Sequence, residues 1–222
     1  MEPLLDAVEA RIVGALVEKQ ITTPDNYPLT LNALTTACNQ KSNRHPVVAF
    51  DERSVVRSLE HLRDKGLARM VSGADQRVPK YYHLFAEKLE LSPPQVAALT
   101  VLILRGPQTL GEIRGRSGRL HEFADLDEVE QTLGELGKRQ QPMVVQLERQ
   151  PGRKESRYTH LFAGIPETDA VSDTQGPDPE PARLAVQTEN ERLDRLESDF
   201  QQLRSEVAQL RTQLDTFRQQ FE

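Results

Sequence analysis

Apolar residues recur at helical spacing through the first two thirds of the chain, in two runs of the same order. Leu5, Val8, Ile12 and Leu16 predict a first helix over 4–19. Pro24 and Pro28, with Asp25 and Asn26 between them, end it in a loop, because proline removes a donor and Asp and Asn favour turns. Thr30 is placed to cap a second helix with Leu31, Leu34 and Cys38 facing inward. Asp51 caps a third, whose Val55, Leu59 and Leu62 face the core and which Gly66 stops. Residues 67–71 and 78–84 then read as two strands joined through Gly73, Ala74, Asp75 and Gln76.

The order returns further along. Ser92 with Gln95 reads as a capping box, Pro93 suits the first helical position, and Val96, Leu99, Leu102 and Ile103 form the apolar stripe. Gly106 and Pro107 end that helix, and Thr109 opens a short one around Leu110 and Ile113. Asp125 with Glu128 predicts another capping box, leading a helix through Val129, Leu133 and Leu136. Val144, Val145 and Leu147 form a strand, and Arg149 to Lys154 turns into the returning one. Both copies close on one phrase, Tyr81-Tyr82-His83-Leu84-Phe85 and Tyr158-Thr159-His160-Leu161-Phe162, 77 positions apart. Three helices and a hairpin, given twice, predict a pair of winged helices, in which the hairpin is the wing.

Beyond them the pattern changes. Four prolines, at 166, 177, 179 and 181, stand among acidic and small polar residues, a composition that buries little and predicts a mobile linker. Leu193, Phe200, Val207, Leu214 and Phe221 then alternate with Leu196, Leu203, Leu210 and Phe217 at three-four spacing, the heptad of a coiled coil. With these at a and d, Arg192, Asp199 and Glu206 fall at g against Glu197, Arg204 and Arg211 at e. The opposed signs favour parallel self-association; packing against the chain's own body and a different protein partner are the alternatives. The expected fold class is mainly α with small β-hairpin wings (α+β). Its parts are two tandem winged-helix domains (1–88 and 89–165), a flexible acidic, Pro-rich linker (166–182) and a coiled-coil-like amphipathic helix (183–222).

Charge sharpens this division. The formal net charge is −6, but residues 1–165 hold 22 Lys+Arg against 21 Asp+Glu, leaving 6 against 13 in residues 166–222. Residues 41–80 carry 9 Lys+Arg and 5 Asp+Glu, a local positive field suited to a phosphate backbone. The one cysteine, Cys38, has no partner for an internal disulfide, and no apolar N-terminal segment reads as a signal peptide. The longest apolar run, Val96 to Leu104, is too short to cross a bilayer, so a soluble cytoplasmic protein is expected.

Candidate chemistry is sparse. Cys38 lies at an apolar helix position, where a buried structural thiol is expected. His45, His61, His83, His121 and His160 lack zinc-ligand spacing, and His83 and His160 suit structural roles at the hairpin ends. Gly111, Gly115 and Gly118 lack the strand, lysine and hydroxyl of a phosphate-binding loop. Asp127, Glu128 and Glu130 follow capping and helix-surface logic. No enzyme, metal or cofactor is expected.

Binding of double-stranded DNA has the better physical case. Arg53, Ser54 and Arg57 of the third helix could read base edges, with Arg77 and Lys80 of the hairpin and Lys41, Asn43 and Arg44 of the preceding connection on phosphates. In the second copy the third helix is acidic, with Glu128, Glu130, Gln131 and Glu135, so the candidates shift to Arg114, Arg116 and Arg119 and to Arg149, Arg153, Lys154 and Arg157 around the wing. The bland alternative is that Arg53, Arg57 and Lys65 solvate a face beside Glu52, Glu60 and Asp64, and that the chain is a protein-interaction scaffold. RNA binding is a further alternative.

Longer stretches carry a resemblance. Glu18-Lys19-Gln20-Ile21-Thr22-Thr23-Pro24, Tyr27-Pro28-Leu29, Asn32-Ala33-Leu34 and Ala37-Cys38-Asn39-Gln40-Lys41-Ser42-Asn43-Arg44 resemble the YceH-like family of bacterial proteins. Leu104-Arg105-Gly106-Pro107-Gln108-Thr109, Gly111-Glu112-Ile113-Arg114, Pro151-Gly152-Arg153-Lys154-Glu155-Ser156-Arg157-Tyr158 and His160-Leu161-Phe162 continue it, so that it spans about 5–164. It implies a tandem winged-helix fold with a similar C-terminal helix, and assigns no catalytic or DNA-reading residue.

Overall fold

The computed structural model describes residues 4–72, 78–149 and 155–164. Helix α1 (Ala7–Thr22) begins where Asp6 and Glu9 cap each other reciprocally, at 2.7 and 2.8 Å. That cap places its start three residues later than the apolar stripe suggests. At the other end, the Thr22 and Thr23 hydroxyls donate to the carbonyls of Glu18 and Lys19, and Pro24–Asn26 forms one 3₁₀ turn. Strand β1 (Leu29–Thr30) leads into α2 (Leu31–Cys38), where Thr30 Oγ1 accepts the Ala33 N–H at 3.3 Å. Helix α3 (Glu52–Asp64) is capped by Asp51, whose Oδ1 accepts the Ser54 N–H at 2.7 Å.

Gly66 stops α3 in the left-handed conformation at φ +69°, as its sequence position predicts. Strands β2 (Ala68–Val71) and β3 (Lys80–His83) pair antiparallel from Ala68↔His83 to Val71↔Lys80, and β1 joins the other edge of β3 through Leu29↔Tyr81. The order β1-β3-β2 ties the start of α2 to the hairpin. One short helix, α4 (Phe85–Lys88), follows where no helix is expected from the sequence.

The second copy repeats the order in α5 (Pro93–Arg105), α6 (Leu110–Ser117), α7 (Leu126–Gly137), β4 (Val144–Gln146) and β5 (Tyr158–His160). A single bridge, Gln108↔Tyr158, stands where β1 stands in the first copy. One cap differs from its prediction: Asp125 accepts the Glu128 N–H, but Glu128 returns its bond to the Ala124 N–H at 2.7 Å, one residue before the cap. Among the described residues the chain is mainly helical with two small antiparallel sheets, and no helix is long and apolar enough to cross a membrane. The linker over 166–182 and the heptad positions Leu193, Leu196, Phe200, Leu203, Val207, Leu210, Leu214, Phe217 and Phe221 lie outside the described residues.

The two copies pack on each other. Buried residues of both form one continuous cluster, from Leu16 and Leu59 to Leu99 and Leu133. At the centre α1 meets α5 at Gly14, where an added Cβ would lie 2.8 Å from Ile103 Cγ2 and 2.9 Å from Leu104 Cδ2. Only a residue without a side chain lets the helices come this close. Phe85 and Phe162, the last residues of the repeated phrase, meet edge to face at 5.4 Å. The Leu5 N–H donates to the Phe162 carbonyl at 2.9 Å, and the His45 N–H to the Leu104 carbonyl at 2.8 Å. A core shared in this way stabilises units too small to bury much alone.

Candidate nucleic-acid interface

Helix α3 sorts its residues by period. Val55, Ser58, Leu59 and Leu62 are buried, while Arg53, Ser54 and Arg57 are exposed. Arg53 and Arg57 are one turn apart, and Glu60 and Asp64 continue the same stripe toward the C-terminus. The stripe is basic in its N-terminal half and acidic in its C-terminal half. Among the described residues, neither Arg53 nor Arg57 makes a hydrogen bond or an ion pair, so their donors face water. The Ser54 hydroxyl and N–H hold the Asp51 carboxyl below its usual range, which turns Ser54 toward the cap.

The connection before α3 corrects the sequence reading. Arg44, expected on phosphate, is buried. Its guanidinium donates to Glu18 at 2.6 and 3.1 Å, to the Ala37 and Asn43 carbonyls and to Gln40. No donor is left for an external ligand, because the group instead satisfies the Ala37 carbonyl at the end of α2 and the Glu18 carboxylate. Asn43, at a left-handed φ of 59°, accepts from Arg105 of the second copy. Arg11, buried beside them, donates to the Pro46 carbonyl at 2.7 Å, and burial first and Arg44 second push its pKa down. Asn39 closes the loop by bonding both backbone groups of Phe50 at 2.8 Å. Of the three candidates in this connection, Lys41 alone remains exposed and unpaired.

Three candidates of the second copy are likewise occupied. Arg157, half-buried, donates to the Pro107 carbonyl at 2.8 Å and to Glu112 at 2.9 and 3.3 Å. Arg116 bonds Gln108 and pairs with Glu112 at 3.7 Å. Arg114 donates to the carbonyls of Phe123 and Ala124, which draws the α6–α7 connection onto α6. Arg119 and Arg149 are exposed and without partners among the described residues. Lys80 is half-buried at the start of β3, opposite Thr30 and Val71. Arg77, Arg153 and Lys154 lie outside the described residues. Of the candidate cations among the described residues, Lys41, Arg53, Arg57, Lys80, Arg119 and Arg149 are therefore the open ones.

Other titratable groups serve the fold. Burial pushes the Cys38 thiol up to about 12, far from thiolate chemistry. His83, buried, sits against Gln20 and accepts the Phe85 N–H, and burial lowers it to about 4; His160 is lowered to about 4 by the same cause. Asp6, Glu9 and His61 bring ligand atoms within 4.8 Å of one another, the spacing of a metal-binding group. The carboxylates there are already used: both cap α1, and Lys65 Nζ sits 2.6 Å from Glu9 Oε2. A metal would have to displace that ammonium.

The fold and site define a class, a fused pair of three-helix and hairpin units with an open arginine stripe on the first. A family profile described as "Protein of unknown function, DUF480" matches residues 5–153, and the chain belongs to that family. It is 55% identical to a UPF0502 protein of Geotalea uraniireducens over 222 residues, covering all of both chains. Identity to a UPF0502 protein of Geobacter sulfurreducens is also 55%, again over the whole of both. A UPF0502 protein of Opitutus terrae is 51% identical over 85% of this chain and 82% of its own.

Proposed function

We propose that the chain is a tandem winged-helix protein that binds double-stranded DNA in the cytoplasm, in a non-catalytic, transcription-related role. The supporting observation is α3: capped at its start, anchored by three apolar residues, and presenting Arg53 and Arg57 unpaired on its N-terminal half. That half is the one a recognition helix turns toward base edges, and arginine can donate two bonds to a guanine. The strand order β1-β3-β2 ties the hairpin to the same unit, so Lys80 is held in fixed relation to α3. The acidic C-terminal half of the stripe limits the approach to the first turns.

Salt-dependent anisotropy with a short duplex tests the reading. Arg57→Ala should weaken binding and lower the slope of log K against log salt by about 1 for a lost phosphate contact, or leave the slope and relax sequence preference for a base contact. No binding to genomic fragments at low salt would refute it.

A second reading rests on α7, which carries Asp127, Glu128, Glu130 and Glu135 and no Lys or Arg between Leu126 and Gly137. Phosphate would be repelled there, and a basic protein partner attracted. On that reading the chain is a scaffold, with residues 183–222 self-associating or taking a protein partner. A stable heterologous complex lost on changing Leu203 and Leu210 to polar residues, with no duplex binding, would select it.

A further inference from the structure

An open cleft of about 490 Å³ lies at the far end of α3, lined by Arg63, Gly66, Ala68, Arg69, Leu84, Glu87 and Lys88. Its construction follows from the turn at Gly66. The left-handed conformation there reverses the chain, the Leu67 N–H closes on the Leu62 carbonyl at 2.8 Å, and the Leu84 N–H donates to Leu67 at 2.8 Å. These bonds bring the last turn of α3, strand β2 and helix α4 around one concavity. A Cβ at residue 66 would stand 3.9 Å from Lys88 Cε and Nζ, so the ammonium lies close over this turn.

Three cations therefore meet in one concavity with a single carboxylate, Glu87, for a local charge of about +2. Among the described residues, Arg63, Arg69, Lys88 and Glu87 make no side-chain hydrogen bond or ion pair. Three like charges held together with only one carboxylate in the lining to offset them are stabilised by a bound anion. The apolar side chains of the lining are Ala68 and Leu84 alone, which disfavours an uncharged hydrophobic ligand. A phosphate monoester fits: it carries about −1.5 to −2 at neutral pH and offers three acceptor oxygens to two guanidinium forks and an ammonium.

The cleft is separate from the arginine stripe. Arg63 follows Arg53 by ten residues and Arg57 by six, which at about 100° per residue turns it roughly 80° and 120° away around the α3 axis. We propose that this cleft binds a small molecule bearing a phosphate monoester. The assignment uses neither Arg53 nor Arg57, so the failure of duplex binding leaves it standing, and its own failure leaves the duplex reading intact.

The test is an amide-resolved NMR titration of the full chain with inorganic phosphate, AMP and adenosine at low ionic strength. Saturable shifts of the Gly66, Arg69, Leu84 and Lys88 amides are expected with phosphate and AMP and not with adenosine. Arg63→Gln and Arg69→Gln should each weaken AMP binding about two- to fivefold, the range for one exposed ion pair. Glu87→Gln removes the one carboxylate and should tighten binding by a similar factor, a gain that a misfolded variant would not show. Arg57→Ala should leave these shifts unchanged. No saturable shift with either anion, or adenosine acting as AMP does, would overturn the proposal. So would a duplex that shifts the same amides and displaces phosphate, which would make the cleft a seat for the nucleic-acid backbone.

Discussion

Gly14→Ala tests the fused core at one atom. In a helix interior alanine is favoured over glycine by about 1 kcal/mol, so an unhindered position would be stabilised. Here the new methyl would lie 2.8 Å from Ile103 Cγ2 and 2.9 Å from Leu104 Cδ2, well inside ordinary contact. Leu104 can rotate its terminal methyl away, although its Cγ, at 3.1 Å, stays close. Ile103 Cγ2 sits on a β-branched carbon stiff at χ1 and moves only with its helix. Overpacking of this kind costs about 1–3 kcal/mol, which leaves a net loss of roughly 0–2 kcal/mol. For a chain of this size that lowers Tm by up to about 8 °C. Chemical unfolding of the single variants and of Gly14→Ala with Ile103→Ala isolates the clash. The double variant should recover about 1 kcal/mol relative to the sum of the singles. Stabilisation by Gly14→Ala together with zero coupling to Ile103 would show that α1 and α5 are not in contact there.

Arg44→Leu strips Glu18 of its buried partner and should cost about 3–5 kcal/mol, read as a fall in Tm, while duplex affinity of the folded protein stays unchanged. Binding lost with stability retained would restore Arg44 to the interface. The histidines set a pH limit. His83 titrates near 6.5 in the unfolded chain and at about 4 in the fold, so its stabilising effect is complete above 6.5 and is lost as pH falls from 6.5 to 4. The loss reaches about 3 kcal/mol, and His83→Asn should remove that share of the pH dependence and leave the share that His160, lowered by the same cause, contributes in the same window. Removal of residues 183–222 should lower the sedimentation mass to that of a monomer; an unchanged mass would refute tail-driven assembly.

The elements were legible because their boundaries are local. Thr30, Asp51, Ser92 and Thr109 each sit at the start of a helix, and Gly66 at the end of one, so short-range chemistry fixes them. Fates of the charged side chains were less legible. Arg44 and Arg53 look alike in a polar stretch, yet one is buried against Glu18, 26 residues earlier, and the other is exposed. Partners that distant are set by the packing of α1 against the 39–50 connection, which no local pattern encodes. The same holds for Arg157 and Glu112, brought together by the Gln108↔Tyr158 bridge. Glu9 carries a signal, its position three residues after Asp6, but that spacing discloses the cap and not Lys65.

Because α1 closes on the side chains of α5 at a residue with no side chain of its own, the two hairpins cannot drift apart like beads on a string. Any surface that engages both must match one stride built into the molecule. A target with a different pitch would have to bend, or give up half of the grip.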